Sequence, residues 1–205
     1  RRLDESYTFT AALPSQAPAI RFTGKGSILP SSNRMSLLFE SVNFARARVR
    51  VRKIFANNLL QFFQQNYYDD QYYSSMDYVS RVVRDTTIDL GARSSTRLDQ
   101  SNTYSLDLSR LITDSRKSMY LLEIRGVDPL TPVDDEYDYD YYFGDYRTYK
   151  ERSKVVVQSD IGLICKSSGS DQYVVYTTDL VSARPKGGCK VRTYDPVSYT
   201  HLTLP

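Results

Sequence analysis

Any chemistry done by this chain has to be assembled from one histidine, two cysteines, a crowded run of carboxylates and two glycine-containing turns. His201 is the only imidazole, and it stands in Val197-Ser198-Tyr199-Thr200-His201-Leu202-Thr203-Leu204-Pro205, a stretch that reads as a sequencing adapter translated in frame and is expected to be foreign to the protein. Without it, neither a Ser-His-Asp nor a Cys-His arrangement can be built. Cys165 and Cys189 are too few for a disulfide scaffold and lack zinc-site spacing. Either suits a small buried hydrophobe. Cys165 shares strand parity with Ile161 and Leu163, and alternation from Cys189 through Val191 turns Cys189 inward, so a bridge across a sandwich and two free thiols both stay open; parity alone does not fix the Cα separation.

Asp134, Asp135, Glu136, Asp138 and Asp140 offer the hard oxygens that Ca²⁺ takes. No register among them supplies the Asp at positions 1, 3 and 5 with Gly at 6 that an EF-hand loop needs, so they read as a solvated loop. These carboxylates also lack an apolar pocket that would drive two pKa values apart for acid and base work. Gly24-Lys25-Gly26 and Gly187-Gly188 complete neither a P-loop nor a dinucleotide fingerprint and read as turns. The expectation is no catalytic, cofactor-binding or metal-ligating residue, no cofactor and no enzymatic activity.

The elements, by contrast, are legible. Ala45, Ala47, Val49 and Val51 alternate with Arg46, Arg48, Arg50 and Arg52, a period of two that predicts a strand with one core face and one exposed arginine face. Phosphates could be tracked by such a stripe. Across 205 residues, however, the net charge is only +3, without the clustered excess of a nucleic-acid footprint, so the arginines read as edge protection and solubility devices. Ala19 to Thr23 reads as a short strand into the Gly24-Lys25-Gly26 turn, which Ile28-Leu29-Pro30 closes; Met35 to Phe39 is a compact apolar run; and Tyr78 to Leu90, Thr103 to Leu108, Ser118 to Arg125 and Ser153 to Gln158 give further strands, with Tyr120, Leu122 and Ile124 facing away from Met119, Leu121 and Glu123. Asn57 to Gln65 has helical spacing in Leu59, Phe62 and Phe63 behind an Asn cap. Gln64 to Tyr78, polar and tyrosine-rich, reads as a loop. No apolar run is long enough for a membrane helix.

Regular short strands without a βαβ rhythm predict an all-β chain of tandem antiparallel sandwiches. The expected layout is a tail at 1–16, a sandwich over 17–158 with a long Asp/Tyr-rich loop at 129–152, the start of a second sandwich at 159–196, and 197–205 as the foreign stretch. Ile161 to Lys166, Tyr173 to Thr178 and Cys189 to Tyr194 are three strands, too few for a complete second sandwich, which therefore reads as truncated. The chain opens on Arg1-Arg2-Leu3 without an initiator Met or a signal-type apolar region, so a leader is expected upstream, if there is one.

In order and spacing, the motifs resemble one family. Ala17-Pro18-Ala19-Ile20-Arg21-Phe22, Lys25-Gly26-Ser27-Ile28-Leu29-Pro30, Glu40-Ser41-Val42-Asn43 and Val49-Arg50-Val51-Arg52-Lys53-Ile54-Phe55-Ala56-Asn57-Asn58 are similar to early macroglobulin domains of bacterial alpha-2-macroglobulins. Ser159-Asp160-Ile161-Gly162-Leu163-Ile164-Cys165-Lys166 resembles the first strand of the next such domain, with Thr178-Asp179-Leu180, Arg184-Pro185 and Gly188-Cys189-Lys190-Val191 following. The resemblance implies seven-stranded, fibronectin-III-like sandwiches in a large protein that traps proteases at the bacterial cell envelope, periplasmic or outer-surface, with or without a lipid anchor. Its implied partners are proteases, reached through the rest of the protein, and neighbouring macroglobulin domains. The family's thioester sequence matches neither Cys165-Lys166-Ser167-Ser168 nor Cys189-Lys190-Val191-Arg192, so no functional residue carries over. The alternative is a cell-surface ligand- or glycan-binding sandwich using tyrosine-rich loops as a stacking platform.

Overall fold

The computed structural model describes residues 8–11, 14–24, 26–31, 35–66, 76–91, 98–113, 118–130, 151–167, 169, 172–194 and 201–203. Two facing sheets make up most of it. One is three-stranded, in the order β1 (Ala19–Phe22), β3 (Ser36–Val42), β6 (Asn102–Asp107). The other is five-stranded, in the order β2 (Ile28–Leu29), β8 (Glu151–Gln158), β7 (Met119–Pro129), β4 (Phe44–Ile54), β5 (Ser80–Asp89). The seven longer strands pair antiparallel, as the alternation predicts; the two-residue β2 is added in parallel along the end of β8. Between the sheets lies a core built from Ile20, Leu37 and Phe39 on one side and Ala47, Val49, Val51, Tyr120, Leu122, Ile124 and Val156 on the other.

The five-stranded sheet is also covered on its outer face. A 3₁₀ turn (Ala56–Asn58), helix α1 (Leu59–Gln65) and the helical turn α2 (Met76–Val79) place Phe62, Met76 and Val79 against Ile54, Leu121 and Val155. This explains why β7 is apolar on both faces: its even residues serve the inter-sheet core and Leu121 serves the helices. Two expectations are corrected here. Asn58 does not cap α1; its side-chain amide donates to the carbonyls of Tyr78 and Val79, tying the helical layer to α2. The expected loop from Gln64 to Tyr78 begins and ends in helix, with residues 67–75 outside the described part.

The β3–β4 turn is a single residue, Asn43, held at φ 53° in the left-handed region that Asn tolerates better than most residues. Its buried side chain makes the turn a junction. The amide nitrogen donates to the Gln16 carbonyl at 2.7 Å and to Asp99 Oδ1 at 2.9 Å, and its oxygen accepts from the Asp99 amide at 2.8 Å. The Leu130 amide donates to the Asn43 carbonyl. Two distant segments thus close on the side chain and a third on the backbone of one residue, and the hydrogen bonds from Asn43 and the Gln16 amide hold the Asp99 carboxyl below its ordinary range.

From Ser159 the chain enters a separate ribbon of β9 (Ile161–Ser167) and β10 (Tyr173–Asp179), paired antiparallel with Asp179 opposite Ile161. A third pairing sets β11 (Arg192–Tyr194) against β12 (His201–Thr203). The expected strand from Cys189 is shorter than its alternation suggested, because Cys189, Lys190 and Val191 lie outside β11. Whatever the origin of 197–205, three of its residues form β12. The Asp/Tyr-rich segment, including Asp134, Asp135, Glu136, Asp138 and Asp140, falls in 131–150 and lies outside the described residues.

Candidate functional surfaces

Three features of the molecule could carry chemistry or recognition: the arginine face of β4, an open cavity beside β5, and the exposed ribbon. On β4 the inward half of the prediction holds, with Ala47, Val49 and Val51 fully buried and Ala45 partly so. The outward half needs correction. Arg46 and Arg48 are exposed, but burial deepens along the strand until only 11% of the Arg52 side chain is accessible. The cause is the helical layer, which covers this end of the face and leaves the other in water.

Each arginine meets carboxylates from flanking strands or α2. Arg46 pairs with Asp128. Arg48 grips Asp85 with two parallel bonds of 2.8 Å, and Arg50 reaches the same carboxylate at 3.0 Å. Arg52 lies 3.1 Å from Glu123 and 2.7 Å from Asp77. The stripe is therefore neutralised by its own sheet, and its guanidinium groups are occupied rather than held out for phosphates. The pairing pulls Asp85 down from 3.8 to about 2, chiefly through its hydrogen bond to Arg48, with Arg50 adding to it. Glu123 moves the other way: burial raises its carboxyl above 4.5, more than Arg52 and Arg50 can offset.

A pH dependence follows from Asp85. A carboxylate lowered in the fold contributes stability that is complete above its unfolded value of 3.8 and fades as the pH falls towards 2. A carboxyl-detected NMR titration is expected to place the Asp85 midpoint near 2. A midpoint near 3.8 would mean that Arg48 and Arg50 do not hold it in solution.

The cavity, of about 350 Å³, opens between β5 and the segment after β6. Leu111, Ile112, Val83 and Tyr120 give it apolar walls, and Lys53 and Arg81 give it positive charge. No carboxylate or imidazole lines it among the described residues.

Cys165, exposed on β9, and Cys189 are both free thiols, which closes the question of a bridge that parity left open. The Cys189 thiol donates to the Lys186 carbonyl at 3.6 Å. Among the described residues no three His, Cys, Asp or Glu side chains converge as a metal site, and no helix is long and apolar enough to cross a membrane.

The ribbon carries large apolar side chains on both faces. Leu163 and Tyr173 are accessible on one, Ile164, Val174 and Tyr176 on the other. The residues that strand pairing brings together were out of reach of sequence alone: nothing in the local pattern says that Asp85, Glu123 and Asp128 lie beside the arginines. The demand of four consecutive outward arginines for counter-charge was the available signal.

No protein-family model and no curated protein sequence matches the chain. Solved structures do. Alpha-2-macroglobulin from Escherichia coli, in a structure spanning domains NIE-MG1, superposes with a TM-score of 0.66 at 17% identity, over 91% of this chain and 81% of that one. This chain has the fold of bacterial alpha-2-macroglobulin domains. A structure of the same E. coli protein spanning MG0-NIE-MG1 gives a TM-score of 0.63 at 17% identity, over 92% of this chain and 54% of that one. The native conformation of E. coli alpha-2-macroglobulin gives 0.55 at 16% identity, over 83% of this chain but 10% of that one. The alpha-2-macroglobulin likeness therefore reaches across both the sandwich and the ribbon, and concerns a small share of a much longer protein.

Proposed function

We propose that this chain supplies structural domains to an alpha-2-macroglobulin-like protein that traps and inhibits proteases at the bacterial cell envelope. On this reading 17–158 is one macroglobulin-like sandwich, 159–196 opens a second, and 197–205 is extraneous to both. The observation that carries it is the reach of the fold likeness, which runs through the junction at Ser159-Asp160 into the ribbon instead of stopping at the first sandwich. A two-stranded ribbon with apolar side chains on both faces is marginal alone and calls for further strands to cover it. Its neighbours are then domains of the same protein, and proteases are partners of the whole assembly. The domains act by holding shape, without catalysis.

The test uses the product of the whole gene with a broad-specificity protease, followed on a large protein substrate and a small peptide. A trap protects the large substrate by at least about tenfold while the peptide is still cleaved, because only the small substrate diffuses to an enclosed protease. Equal cleavage of both, with no cleaved or adducted species, would overturn the proposal.

A further inference from the structure

We infer that the Ser159-Asp160 junction is a locked joint, with the Asp160 carboxylate as the bolt that fixes the ribbon against the sandwich. Its meaning as a lock between two macroglobulin-like units rests on the function proposed above; the joint itself rests on geometry.

Two residues separate β8 from β9, and each is braced. The pairing of β2 with β8 places Leu29 opposite Gln158, and the hydrogen bonding continues past the end of β8, where the Ser159 amide donates to the Leu29 carbonyl at 3.2 Å. One step further, Ser31 meets Asp160 twice: its amide donates to Oδ1 at 2.7 Å and its hydroxyl to Oδ2 at 2.9 Å. Both carboxylate oxygens are thereby engaged by one residue of the sandwich, in charge-assisted bonds of about twice the strength of neutral ones. The ribbon side is held through the same residue, since the Leu180 amide donates to the Asp160 carbonyl at 2.8 Å. Ser159 stiffens the step between them, its hydroxyl oxygen accepting from the Ile161 amide at 3.0 Å.

Gly162 keeps the ribbon's own end tight beside the joint. A Cβ at this position would come within 2.7 Å of both Leu180 Cδ2 and Thr178 Oγ1, so the end of β10 packs directly on the glycine backbone. The short β2 thus acts as a splint laid along the hinge. This accounts for a two-residue parallel strand in an otherwise antiparallel sandwich: pairing so short adds little to the sheet, but it delivers Ser31 to Asp160.

The test is made on the 205-residue chain. Residual dipolar couplings of amides in β4 and β7 are compared with those in β9 and β10. In the unmodified chain one alignment tensor is expected to fit both sets. In Asp160→Ala the sets are expected to need two tensors and the Ser31 amide to exchange at least roughly tenfold faster. The Leu180 amide, bonded to a backbone carbonyl that survives the substitution, keeps its protection and reports that the ribbon is still folded. Asp160→Asn, with one oxygen left to accept, falls between. Two tensors in the unmodified chain, or one in Asp160→Ala, would overturn the inference. If Asp160→Ala also loses protection at Leu180, Ser31→Ala decides: it removes only the hydroxyl bond, and behaviour identical to the unmodified chain would refute the lock. Protease trapping is not a readout here, so the lock and the trap can fail separately.

Discussion

Val49→Asp is expected to cost about 4 kcal/mol or more of unfolding free energy. Val49 is fully buried in the inter-sheet core, in the middle of β4, with Thr86 opposite on β5 and Ile124 opposite on β7. None of the four β4 arginines can serve as partner, because all of them project from the other side of the sheet. The carboxylate must then stay ionised without a partner, take up a proton, or tear the strand from the sheet, and each route is expensive. Arg48→Ser, one residue away on the exposed face, is expected to cost far less even though it breaks the two bonds to Asp85, because exposed ion pairs are worth little. Urea unfolding of both variants checks the pair of predictions, and comparable losses at the two sites would refute the facing assigned to β4.

Gly126→Val is expected to be nearly as damaging, at about 3 kcal/mol. A Cβ placed on Gly126 falls on the ring of Phe44, which is itself 2% exposed and packed in the inter-sheet core. Opposite Gly126 sits Ala47, so small residues on β7 and β4 leave just the space the ring occupies. An added side chain has to expel the ring, losing its burial, or spread β7 from its neighbours. The measurement is a double-mutant cycle with Phe44→Ala. Removing the ring should relieve the clash, so the double variant should be markedly less destabilised than the sum of the single ones. Strict additivity would show that Gly126 and Phe44 do not share this space.

The sandwich was legible in the sequence because its inner faces obey strict alternation, as β4 and the even residues of β7 illustrate. Three other features were not, or not fully. The helical layer was legible only in its first half: the spacing of Leu59, Phe62 and Phe63 gives α1, whereas α2, with Met76 and Val79, sits at the end of a stretch whose length and polarity resemble a loop, and residues 67–75 between them lie outside the described part. Because nothing local shows α2 or the face on which the helices pack, the alternation puts Arg52 in water, whereas it is almost enclosed. The partners of the arginines depend on which strands lie side by side, a tertiary property that no local window contains. The Asp160–Ser31 bond was unreadable for the same reason, joining residues over a hundred positions apart. The absence of a catalytic constellation is an expectation from composition.

The pairing at the centre of the five-stranded sheet has a consequence for how the protein forms. β4 and β7 lie side by side with Phe44 opposite Pro129 and Ile54 opposite Met119. The helices, β5 and β6 all fall between them in the chain. The two central strands thus meet only after the helices, β5 and β6 have emerged from the ribosome, and closing so long a loop costs entropy before any contact repays it. Until β7 arrives, β4 presents Ala47, Val49 and Val51 to solvent along a strand whose other face is lined with arginines. Folding on the slow, millisecond-to-second end of the scale is what such topology brings. During that interval the like charges of the arginine face would keep one nascent β4 from stacking on another, a service to the unfolded chain from the same side chains that are neutralised by Asp85, Glu123 and Asp128 once the sheet has closed.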